Sequence, residues 1–144
     1  MQPLTLQVLA QVKPEDYDPF VGSLHRELGI PAVVVMGIVG LWGLGLAVMR
    51  KEPGTAYGWG AAIASIILLA QVGMGLWVYI TQDAEWAGNQ HVFYGIVILF
   101  TFSFAYIYRA QLAKRPALSY GLLALFLMGL GIRGIMNFGQ SFGG

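Results

Sequence analysis

Only two residues of this chain could hold a metal through nitrogen, the histidines His25 and His91. Neutral imidazole is a common metal ligand, and a pair of histidines can fill both axial positions of a haem iron. The chain has no cysteine, which excludes thiolate ligation, disulfides and cysteine nucleophiles. Arg26 follows His25 directly, and Arg133 sits in an otherwise apolar run. Guanidinium matches carboxylate geometry, so either could pair with acidic groups such as haem propionates. Gln71 lies within another apolar run, where its amide needs a hydrogen-bond partner. Beside it, Gly73 and Gly75 remove side chains and allow a helix or a flat ring to come close. Gly95, one turn beyond His91, clears the same face. Each of these residues also has a plainer role. Histidine and arginine near a membrane surface serve as interfacial anchors, and glycines serve helix packing. There is no His-x-x-x-His zinc pair, no phosphate-cradling glycine loop and no nucleophile elbow.

The elements that must position these residues are membrane spans. Of the 144 residues, 57% are apolar and only 10% are charged, against about 25% charged in soluble domains. A net charge of +1 gives no footprint for nucleic acid. Four stretches reach the roughly 20 apolar residues that cross a bilayer: Ile30 to Met49, Tyr57 to Ile80, His91 to Tyr108 and Ala117 to Met136. No carboxylate falls inside any of them, which argues against a proton path or a transporter. With no water to satisfy the backbone, such runs are helical. The connections are short: Arg50 to Ala56 with its Pro53-Gly54 turn, Thr81 to Gln90 with Asp83 and Glu85, and Arg109 to Pro116. Short connections make antiparallel neighbours. The sequence therefore predicts an all-α polytopic membrane protein, an up-down four-transmembrane-helix bundle at residues 30–144. Residues 1–29 precede it, with a surface segment over Met1 to Val12, a polar link from Lys13 to Asp18, and a short interfacial helix from Pro19 to Leu28. Gly29 and Pro31 are expected to break or kink that helix before the first span.

Arg50, Lys51, Arg109, Lys114 and Arg115 all fall in the first and third connections, and the second has no Lys or Arg. The positive-inside rule then makes the first and third cytoplasmic, with both termini and the second connection outside. His25 precedes the first span and His91 opens the third, so both imidazoles are expected at one depth near the outer face. Trp42, Trp59, Trp77 and Trp86 read as belt and packing residues, the last two flanking the outer connection.

Leu24-His25-Arg26 before one span, Gln71-Val72-Gly73-Met74-Gly75 in the next, and His91 opening the third together resemble half of a haem A synthase. That family has two similar four-helix halves. In each, an His-Arg pair opens one helix, a Gln-x-x-x-Gly follows in the next, and a second histidine starts the one after. The resemblance runs from His25 to Tyr108. It implies that His25 and His91 are axial ligands of one haem, with Gln71 and Gly75 lining the second helix beside the macrocycle. The chain departs from the pattern in lacking a helix before the His-Arg helix, in having a further span after the second histidine, and in lacking the second half. Three residues before its His-Arg pair, the family's catalytic half carries a glutamate; here that position is Gly22.

The resulting expectation is a b-type-haem electron-transfer protein in a bacterial or archaeal cytoplasmic membrane. It would exchange electrons with a quinone, an external redox protein or neighbouring subunits of a bioenergetic complex. A cofactor-free accessory subunit of a respiratory or photosynthetic complex is the alternative. A haem-modifying enzyme is a third reading, which Gly22 disfavours.

Overall fold

The computed structural model describes residues 19–81 and 87–142, and helices dominate them. Four are long and apolar enough to cross a membrane. α1 is Pro19–Val48, α2 Thr55–Thr81, α3 Asn89–Ile107, α4 a single turn at Arg109–Leu112, and α5 Pro116–Met136. The four long helices run up, down, up, down. Their packing closes a square: α1 lies against α2 and α5, and α3 against α2 and α5. The expected all-α four-helix bundle is therefore present, and its spans match the apolar runs to within a few residues at every end but one.

That end is the start of α1. No break falls between residues 29 and 30: one helix of 30 residues runs through Gly29 and Pro31. The expected separate interfacial helix is instead the first part of this span, and the expected boundary between an N-terminal segment and the bundle at residue 29 falls inside it. Proline removes one backbone donor, the one that would have reached the carbonyl of Glu27. Glu27 is exposed near the helix end, where another donor can take up that carbonyl. Proline inside a membrane helix is tolerated on those terms. The surface segment over Met1 to Val12, the polar link to Asp18, and Asp83, Glu85 and Trp86 lie outside the described residues.

Local signals set the helix ends. α1 closes on Arg50 in the left-handed conformation, with φ 54°. Lys51 N–H bonds to the Leu46 carbonyl at 2.9 Å and Arg50 N–H to that of Ala47 at 3.1 Å, the paired bonds of a Schellman closure. Pro116 opens α5 in the first turn, where its missing N–H has no cost. Inside the spans, the hydroxyls of Ser65, Thr101 and Ser103 each bond back to the carbonyl four residues earlier. They are thus satisfied without leaving their own helix.

The tightest seam joins α1 to α5. A side chain on Gly43 would meet the Gly121 Cα at 2.8 Å, and one on Gly121 would meet the Leu44 backbone nitrogen at 2.8 Å. The two backbones touch there. α5 turns Ala117, Gly121, Ala124, Leu127, Gly131 and Gly134 inward, a mostly small-residue face of the kind that lets membrane helices approach closely. Met36, Val39, Tyr57, Leu68, Ile98 and Leu127 fill the space between the helices. α3 is held most lightly. Only 6% of its most apolar window is buried inside the protein, against 39% for α1. Exposed Trp42, Trp59 and Trp77 lie on the lipid-facing side.

Candidate functional site

The antiparallel order brings the start of α1, the end of α2, the start of α3 and the end of α5 to one end of the bundle. His25 and His91 are there, on helices diagonal to one another. Their ring centroids are 6.0 Å apart with the planes at 80°. The two imidazoles do meet at one end of the bundle, as expected, but the gap they line is about 90 Å³, not the porphyrin-wide space that the haem expectation called for.

Each ring is tethered to the helix beside it. His25 Nδ1–H donates to the carbonyl of Gln71 on α2 at 3.0 Å. His91 Nδ1–H donates to the carbonyl of Gly134 on α5 at 2.8 Å. A carbonyl only accepts, so these contacts place a proton on Nδ1 in both rings, and in the neutral imidazole Nε2 is then the lone-pair nitrogen. Neither Nε2 has a hydrogen-bond partner among the described residues.

Gln71 completes a reciprocal clamp. Its backbone accepts from the His25 ring, and its Nε2 donates to the His25 carbonyl at 2.5 Å. The carbonyl can only accept, which fixes the amide orientation and leaves Oε1 buried without a partner among the described residues. Gly29 leaves the clamp room: a Cβ there would sit 3.3 Å from Gln71 Nε2, and the amide would have to give by a few tenths of an ångström.

Gly75 has a sharper role than the sequence suggested. A Cβ on it would fall 2.6 Å from His25 Cε1. Its missing side chain is the seat of the His25 imidazole itself. Gly73 is not part of this: it is exposed, with nothing within 4 Å of its would-be Cβ, so the expected close approach at that residue is corrected. Gly95 lines the gap, and a Cβ there would make ordinary contact with Val72 at 3.6 Å.

Between the rings and below them runs a cleft of about 90 Å³, apolar over most of its wall. His25, Gln71, Gly75, His91 and Gly95 line it, together with Tyr79, Tyr94, Gly131 and Gly134, which the sequence reading did not single out. Gly131 and Gly134 were open to detection as the continuation of the small-residue face of α5. Tyr79 and Tyr94 carry no signal apart from any other tyrosine. Arg26 and Arg133 are exposed and do not line the cleft, although both are at the same end of the bundle. Among the described residues no cluster of three or more His, Cys, Asp or Glu side chains forms a metal site. The donor set that does converge is the two imidazoles.

Fold and site together define a multi-pass membrane protein with four transmembrane helices and an internal histidine pair near one end. No family model, no curated protein and no solved structure matches the chain.

Proposed function

We propose that this protein holds one b-type haem between His25 and His91 and passes single electrons within a membrane. The observation that carries this reading is the state of the two rings. A metal-binding histidine almost always donates its other N–H to a carbonyl or carboxylate, which fixes the tautomer and the ring angle. Both rings have that support from protein backbone, with Nε2 left over on each. The two rings also lie close together, with centroids 6.0 Å apart.

When bound, a bis-histidine haem supplies a one-electron couple with no open coordination position. The chain's own residues do the rest. The Gln71 and Gly134 carbonyls hold the imidazoles, and the apolar cleft wall excludes water. Arg26 and Arg133, at the same end, are the cations available to propionates. The cleft is far smaller than a porphyrin, so the reading requires a more open arrangement of the helices around it than the one seen here. The short motifs shared with half of a haem A synthase favour haem holding, and Gly22 in place of a glutamate favours electron transfer over haem modification.

The basic connections define the orientation we propose. Arg50, Lys51, Arg109, Lys114 and Arg115 face the cytoplasm, and the histidine site lies near the outer face of a bacterial or archaeal cytoplasmic membrane. One haem near one face cannot carry electrons across the bilayer alone. Its partners are therefore a quinone, an external redox protein or other subunits of a bioenergetic complex.

A reduced-minus-oxidised absorption spectrum of the purified protein tests the reading. A b-type signal that disappears in both His25→Ala and His91→Ala is the expected result. A colourless wild-type protein that takes up no added haem and copurifies with larger subunits would replace it with a cofactor-free accessory role.

A further inference from the structure

We propose that Phe138 is a positioning residue for His91, and that residues 137–142 form a strap holding it in place. After α5 ends at Met136, the chain turns back across the start of α3. Gly139 N–H donates to the Ala87 carbonyl at 2.8 Å, and Gln90 N–H donates to the Gln140 carbonyl at 3.2 Å. Gln90 Nε2 donates to the Ser141 carbonyl at 3.2 Å, and Phe142 N–H to Asn89 Oδ1 at 2.8 Å.

These bonds answer a local need. The first backbone donors of a helix have no partner within it, and the residue before α3 is Gly88, which has no side chain to cap them. The strap supplies a carbonyl instead. Gly88 sits at φ 78°, and any Cβ on it would collide with the Gln140 carbonyl oxygen. Glycine is thus required twice, for its backbone angle and for the closeness of the strap.

The strap carries two aromatic rings onto α3. Phe142 meets Phe93 edge to face at 5.5 Å, and Phe138 meets the His91 ring at 5.4 Å and 88°. His91 is therefore held at Nδ1 by the last turn of α5 and at its ring by the residue just beyond that helix. With α3 lightly buried in the bundle, the strap and α5 together decide where this imidazole points. The consequence for a bound haem rests on the ligand reading above, whereas the positioning itself does not.

The two histidines make the test clean. In full-length protein labelled with ¹⁵N-histidine and kept free of haem in lipid nanodiscs, nitrogen spectra contain only two imidazoles. Wild type is expected to show His91 as a single Nδ1–H tautomer. Phe138→Ala is expected to turn the His91 signals into a tautomer mixture while those of His25 stay put, and Phe138→Tyr is expected to restore them. Unchanged His91 signals in Phe138→Ala would overturn the proposal. So would disturbance of both histidines in Phe138→Ala and again in Phe138→Leu, because the ring would then support the bundle at large. In haem-loaded protein, the lost ring contact predicts weaker haem retention for Phe138→Ala than for wild type. A colourless protein would end the haem reading and leave the tautomer result standing. A negative tautomer result would leave the spectral test untouched.

Discussion

A metal-binding imidazole almost always has its other nitrogen hydrogen-bonded, and here both Nδ1 atoms meet backbone carbonyls. The His25 ring depends on three neighbours at once: the Gln71 carbonyl, the Gln71 amide clamp on its own carbonyl, and the empty place at Gly75. Gly75→Ala should push a methyl group into the ring at 2.6 Å from Cε1, and the ring must swing away from its carbonyl. On the haem reading proposed above, this variant should fold and lose most of the b-type absorbance, while Gly73→Ala, two residues along the same helix, is silent. Matched haem content in the two variants would contradict the seat assigned to Gly75. The contrast marks how far the residues could be read beforehand. The histidine pair stood out because the chain has no other histidine. Composition alone does not separate the two glycines, because it does not say which side of a helix meets a neighbour; only the Gln-x-x-x-Gly resemblance marked Gly75. The Nδ1 partners were invisible for a related reason: both are carbonyls, and every residue has one.

Along the helices, long apolar runs, interrupted by charge only at Arg133, located all four spans, since a bilayer leaves the backbone no other way to satisfy itself. Two features escaped that logic. Pro31 is a breaker in water but is accommodated within α1, so helix continuity there depended on surroundings that the sequence does not state. The strap over 137–142 has no periodicity, because its order comes from bonds to a distant segment. Packing between spans is uneven in a way that can be measured. Gly43 and Gly121 bring the α1 and α5 backbones into contact, whereas Gly45 and Gly129 have nothing within 4 Å of a would-be Cβ. Gly121→Ala should therefore destabilise the bundle by about 1–3 kcal/mol through overpacking. Gly45→Ala and Gly129→Ala should be neutral or better, since alanine is the stronger helix former by about 1 kcal/mol. Reversible unfolding in mixed micelles separates these outcomes. Equal stability of Gly121→Ala and Gly129→Ala would mean that the α1–α5 seam yields without loss.

At the scale of the molecule, the bundle is polarised. The imidazoles, the cleft, Arg26 and Arg133 gather at one end, and the basic connections Arg50-Lys51 and Lys114-Arg115 at the other. The four-span order alone guarantees that separation, since the first and third connections must share a side. Charge then chooses which side faces the cytoplasm, because Lys and Arg in short connections resist translocation. The absence of native cysteine makes the assignment directly measurable. Single cysteines at Glu52 and Lys114, both exposed in connections at the basic end, should resist a membrane-impermeant maleimide in intact cells and react after the membrane is opened. A cysteine at Ser141, exposed beside the histidine end, should react without opening. The reverse pattern would turn the bundle over and place the imidazole pair near the cytoplasmic face. The site's internal geometry would be unaffected, because the tethers at Gln71 and Gly134 are set within the bundle and not by the side from which it is approached.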